Sequence, residues 1–63
     1  SSENKEILMD LIKEYIQKIK RGQKITSETI RRDTHHLYEN RLKLKITKSD
    51  LEDFREVLEL LKN

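Results

Sequence analysis

Apolar residues in the first third of the chain recur at intervals of three and four positions. This spacing places them on one face of a helix, as a stripe wide enough to pack against a core. Basic residues collect within 18–21, where they suit the negative end of the helix dipole, and Gly22 follows in the position of a left-handed C-cap. With Ser2 as N-cap, the pattern predicts a first helix over residues 3–21. The stripe consists of Leu8, Leu11, Ile12, Tyr15, Ile16 and Ile19.

Two later segments, Lys24–Ile30 and Lys45–Leu51, share a second pattern, a helix-start signal that is repeated after 21 residues. In each segment a threonine is the expected N-cap, and the isoleucine before it pairs with an apolar residue five positions later as a hydrophobic staple. The two copies predict a second helix over residues 27–41 and a third over residues 48–62. The caps are Thr26 and Thr47, and the staple pairs are Ile25–Ile30 and Ile46–Leu51.

Between these helices, the stretch Leu42–Ile46 alternates apolar and basic residues with a period of two. That period is typical of extended backbone, so we expect an extended connector or a short edge strand, and favour the connector because the chain offers no second strand to pair with. The predicted fold is all-α: one three-helix domain, helix-turn-helix-like, over residues 1–63. We expect helices 1 and 3 to form most of the core, because helix 2 has few apolar positions.

Composition narrows the possible classes of protein. The chain has 63 residues, no Cys and no apolar run longer than the three residues Ile7–Met9. Disulfides and membrane-spanning segments are therefore not expected, and a cytoplasmic or nucleoid-associated location is favoured. The sequence contains no Gly-rich phosphate loop and no nucleophile paired with a general base, so we expect neither an enzyme nor a cofactor.

Charge is the most informative feature for function. Residues 18–48 contain ten basic and three acidic side chains, a net charge of +7, whereas residues 1–17 have a net charge of −2 and residues 49–63 of −3. A basic middle segment indicates nucleic-acid binding, with DNA favoured over RNA, centred on helix 2 and its flanking loops. The expected nucleic-acid-binding residues are Lys24, Arg31, Arg32, His35, Lys43, Lys45 and Lys48.

Two other interpretations of the charge remain open: a solvated face balanced by the acidic third helix, and an acidic protein partner. His35 and His36 do not indicate a metal site, because adjacent helical residues point about 100° apart. Tyr15 and Tyr38 lie on or beside apolar stripes, which favours core packing over base stacking.

Surplus apolar residues on the terminal helices indicate an alternative function. Ile7, Met9 and Leu60 lie off the centres of their stripes and are the candidate contacts for a larger protein complex, such as a replication or transcription enzyme. In that alternative the chain is a small accessory subunit or interaction domain. We expect a monomer or a weak homodimer.

A few residues faintly resemble the three-helix DNA-binding domain at the C-terminus of DEK-type chromatin proteins. The resemblance covers about Glu6 to Leu61, but the segment between Thr26 and Tyr38 is about one turn longer than in that family. These residue types are common in helices, and no site residue is carried over. The matching residues are Ile25-Thr26, Tyr38-Glu39-Asn40, Asp53-Phe54 and Glu59-Leu60.

Overall fold

In the computed structural model, which describes residues 2–62 and side chains from residue 5 to residue 62, the chain is all-helical. Within that range there are four helices: α1 (Ser2–Lys20), α2 (Ser27–Glu39), α3 (Arg41–Leu44) and α4 (Lys48–Leu61). The three predicted helices are confirmed to within two residues at each end. The proposed N-cap at Ser2 involves a side chain outside the described part.

Local signals at the helix ends account for these bounds. Thr26 has an extended backbone, and its hydroxyl accepts a hydrogen bond from the Thr29 amide at 3.2 Å. Thr47 is also extended, and its hydroxyl accepts a hydrogen bond from the Asp50 amide at 3.0 Å. Each bond satisfies an amide that has no partner inside its helix. At the end of α1, Gly22 adopts a φ of +85°, which closes the helix as predicted.

The core is built around α4, which packs against both α1 and α2. The expectation that helices 1 and 3 form most of the core is confirmed, because α1 and α4 supply five of the nine buried residues in the described part of the chain. Helix α2 adds Leu37 and Ile30, and Ile30 is fully buried, as is Leu58 of α4. The four staple residues are all buried in this core. Its buried members are Leu8, Tyr15, Ile25, Ile30, Leu37, Ile46, Leu51, Phe54 and Leu58.

The predicted extended connector is the main correction. Residues 41–44 form the short helix α3, and Lys45 then adopts a left-handed conformation with φ of 56°. The amide of Ile46 donates to the Arg41 carbonyl at 2.9 Å, which turns the chain back towards the core. In a strand, Leu42 and Ile46 would lie on the same face. Here they do not, because Leu42 is 82% exposed and Ile46 only 4%. A lone strand would leave its backbone groups unpaired, whereas one helical turn pairs them locally.

Helices α2 and α4 run antiparallel. At one end, the Lys62 ammonium donates to the Ser27 hydroxyl at 2.8 Å, which joins the end of α4 to the start of α2. At the other end, the Lys48 ammonium lies 6.0 Å from the centre of the Tyr38 ring, which joins the start of α4 to the end of α2. The two helices therefore lie side by side along most of their length.

Candidate nucleic-acid interface

A groove of about 310 Å³ follows the seam between α2 and α4, and we call it the α2–α4 groove. Each wall of the groove is one face of a helix, formed by residues three or four positions apart. The wall from α2 includes positions 31, 35 and 38, and the wall from α4 includes positions 48, 52 and 55. Three of the lining side chains are basic and one is acidic. The lining residues are Arg31, Thr34, His35, Tyr38, Lys48, Leu51, Glu52 and Arg55.

Arg31, Lys48 and Arg55 make this groove a candidate anion site. In the described part of the chain none of the three forms an ion pair, so an incoming phosphate would not have to displace a carboxylate from them. Guanidinium groups bind phosphate through two parallel N–H donors, and an ammonium binds it as a point charge. Three such groups around one groove suit a ligand that bears more than one phosphate.

Arg31 and Arg32, which we expected to act together, are separated by the helix. Arg32 points to the other side of α2, where its Nε lies 3.4 Å from Asp33 Oδ1. It lines a second groove, between α1 and α2, together with Tyr15 and His36. Consecutive helical residues diverge by about 100°, so only Arg31 reaches the α2–α4 groove.

His35 lies at the α2–α4 groove, but its Nε2 is 3.2 Å from Glu39 Oε1, one turn further along the helix. Among the other predicted contacts, Lys48 lines the groove, whereas Lys24, Lys43 and Lys45 are exposed and lie outside the set of lining residues. The structure thus brings three of the seven predicted residues to one groove: Arg31, His35 and Lys48.

Two basic residues of this region were missed by the sequence prediction. Arg55 belongs to the acidic last segment, and only the packing of α4 against α2 brings it opposite Arg31. Arg41 begins α3, and its guanidinium carbon lies 4.0 Å from the centre of the Tyr38 ring. The interval of three residues between Tyr38 and Arg41 was the available signal for that contact.

The two tyrosines differ in their surroundings. Tyr15 is buried, as predicted, and its hydroxyl donates a hydrogen bond to Asp33 of α2. Burial raises the pKa of Tyr15, and the hydrogen bond to Asp33 raises it further, because both disfavour the phenolate. Tyr38, by contrast, is 41% exposed, so the prediction that it packs in the core is wrong.

The candidate partner-binding residues do not line one common groove. Met9 is 51% exposed and lines a groove between α1 and α4 with Val57, while Leu60 is 86% exposed on the side of α4 that carries Glu56. Ile7 is 36% exposed and is separated from Met9 by the buried Leu8, so the two point to different sides of α1.

Within the described residues, no group of three or more His, Asp or Glu side chains is arranged to hold a metal ion. None of the described helices is both long and apolar enough to cross a membrane. Comparisons with models of known families, with curated proteins and with solved structures found no match to this chain. The faint resemblance to DEK-type proteins therefore gains no support from them.

Proposed function

We propose that this chain is a small non-catalytic nucleic-acid-binding protein or domain, with DNA the favoured ligand, located in the cytoplasm or on the nucleoid. The observation that carries the proposal is the convergence of Arg31, Lys48 and Arg55 on one groove, where none of the three forms an ion pair among the described residues and Glu52 is the one acidic lining residue. Phosphates of the nucleic-acid backbone are the chemical groups that such a set recognises, and they dominate the affinity of most nucleic-acid-binding proteins.

The exposed lysines of the flanking loops extend this interface. Lys24 precedes the start of α2, and Lys43 and Lys45 lie at the turn between α2 and α4. They add positive potential near both ends of α2, which attracts a polyanion and orients it before close contact. We therefore place the α2–α4 groove at the centre of the interface and these lysines at its edges.

A helix-turn-helix unit is one docking mode for the proposed function, since α2, the short α3 and α4 are consecutive. In that mode the second long helix, α4, would enter the major groove. Its exposed positions outside the α2–α4 groove include Asp53, Glu56 and Glu59, which would repel phosphates. We therefore favour phosphate contacts along the α2–α4 groove over insertion of α4.

The salt dependence of binding tests the proposal. Three phosphate contacts give a slope near −2.7 in log K against log salt, and thus a roughly 40-fold loss of affinity between about 50 and 200 mM salt. Changing Arg31→Ala and Arg55→Ala together removes two contacts, so affinity should fall and the slope should shrink by about 1.8. Both parameters come from titrations of a labelled oligonucleotide followed by fluorescence anisotropy.

A control variant removes the same charge elsewhere. Lys5→Ala with Lys13→Ala changes two exposed lysines of α1, outside the α2–α4 groove, and should leave the slope nearly unchanged. Equal effects of the two double variants would show that net charge alone, and not this groove, governs binding. If the folded wild-type chain binds no nucleic acid at about 50 mM salt, the proposed function is wrong.

The second candidate function is that of an accessory subunit or interaction domain on a larger protein assembly. Its support is the exposure of large apolar side chains, above all Leu60 and Met9. Met9 and Leu60 line different grooves, which is why this function ranks second. The titration described above decides between the two, because an accessory subunit without a nucleic-acid interface would show no salt-dependent binding.

A further inference from the structure

Among the tyrosines and the phenylalanine of the part of the chain that the structure describes, Tyr38 alone is exposed. Tyr15 and Phe54 are buried at 3% and 2% exposure, and the sequence contains no tryptophan. A tyrosine at the end of α2 with 41% of its surface in water gains little from the core. It lies instead on the wall of the α2–α4 groove, beside Lys48.

Arg41 is held against this ring by two interactions. Its guanidinium lies 4.0 Å from the ring centre, and its Nη1 donates to the Tyr38 carbonyl at 3.0 Å. The hydrogen bond restricts the guanidinium to a position over one face of the ring, so little further entropy is lost when a ligand packs there. Arg41 thus lies against Tyr38, next to the groove wall that Tyr38 lines, and the two side chains offer a base an arginine plane and an aromatic ring.

We propose that Tyr38 and Arg41 form a stacking site for an unpaired nucleobase, and that the ligand of the α2–α4 groove is a single-stranded segment of nucleic acid. This inference rests on the proposed function and specifies its ligand. Aromatic rings and arginine planes are the surfaces on which proteins stack unpaired bases. Bases inside a duplex are stacked on their neighbours and cannot reach a ring on a groove wall.

The surroundings of Tyr38 fit a nucleotide. Lys48 lies 6.0 Å from the ring centre, so a base stacked on the ring has an ammonium close to its own phosphate. Arg31 and Arg55 stand further along the same groove for the phosphates that follow. A volume of about 310 Å³ is at the lower end of small-ligand sites, which suits one nucleotide better than a larger group.

The test compares single strands with a duplex in the same buffer. The probes are labelled single-stranded DNA and RNA oligonucleotides of one mixed sequence and a DNA duplex of equal length. Tyr38→Leu should weaken single-strand binding roughly fivefold to 150-fold, the usual effect of removing one stacking aromatic, and duplex binding less than about twofold. Tyr38→Phe keeps the ring and should bind all probes as the wild type does.

Arg41→Lys is a second variant with unchanged charge. It retains the cation but removes the guanidinium plane, so it should weaken single-strand binding more than duplex binding. A direct readout comes from Tyr38→Trp, which places the only tryptophan of the chain in the stacking site. Its emission should be quenched when a single strand binds and unchanged when the duplex binds.

The outcomes separate this inference from the proposed function. If Tyr38→Leu weakens duplex and single strands equally, or neither, the stacking site is wrong while phosphate binding stands. If the wild-type chain binds no probe, both are wrong. Selective loss with one kind of single strand supports the inference and identifies that strand, DNA or RNA, as the ligand. Circular dichroism of each variant confirms that the helices are retained, as expected for changes outside the buried core.

Discussion

Leu42 and Ile46 test how the chain passes from α2 to α4. A period of two would place both side chains on the same buried face, but the structure exposes 82% of Leu42 and only 4% of Ile46. Ile46→Ala should therefore lower the free energy of unfolding by about 2–5 kcal/mol, the usual cost of that truncation in a core. Leu42→Ala should change it by less than about 0.5 kcal/mol, since little apolar surface is buried there.

These magnitudes matter because the whole domain is only marginally stable. At about 0.05–0.15 kcal/mol per residue, 63 residues give a total of about 3–9 kcal/mol. Ile46→Ala can therefore unfold the chain outright, so Ile46→Val is the measurable variant. It should cost about 0.5–1.5 kcal/mol, or about 2–12 °C in Tm.

The stabilities of Leu42→Ala and Ile46→Val are measured under identical conditions by urea titrations and thermal melts, with circular dichroism as the signal. The slope of the free energy with urea should be the same in all proteins, because the surface exposed on unfolding barely changes. A loss from Leu42→Ala as large as that from Ile46→Val, or larger, would refute the reasoning. That result would mean that both side chains are buried together, as in an extended connector.

Two further predictions concern the caps and a buried hydroxyl. Thr26→Ala and Thr47→Ala should each lower the free energy of unfolding, measured by urea titration, by about 1 kcal/mol. Asparagine at either position should retain the cap. If neither alanine variant loses stability, the helix starts are misplaced. The raised pKa of Tyr15 means that its contribution to stability is fully present below about pH 10, the unfolded-state value, and is lost as the pH rises further. Tyr15→Phe should therefore flatten the decline in stability above about pH 10, measured as the urea midpoint against pH. Parallel profiles for the variant and the wild type would contradict this.

The candidate site was only partly predictable from sequence. Arg31 and Lys48 could be identified because they fall in the basic middle segment and off the apolar stripes. Arg55 could not, because its neighbours along the chain are acidic and its position opposite Arg31 depends on how α4 packs. Tyr38 was assigned to the core because it adjoins Leu37, yet a difference of about 100° around the helix carries it from the core to the groove wall.

The sequence by itself determined where α2 and α4 begin and where α1 ends. Caps at Thr26, Thr47 and Gly22 act through hydrogen bonds and backbone conformations of residues close in the chain, so they can be identified from neighbouring residues alone. The apolar stripes likewise determined that the chain is all-helical, because their spacing matches the helical period over several turns.

Only the tertiary structure decided which side chains meet. The α2–α4 groove joins residues 31 and 55, which no local spacing relates, and their approach depends on the antiparallel packing of two helices around a shared core. The same packing decided the conformation of residues 41–46, since the chain had to reverse direction within a few residues and bury Ile46 while doing so. A short helix closed by a left-handed residue meets both requirements and satisfies its backbone groups locally, which a lone extended segment cannot do.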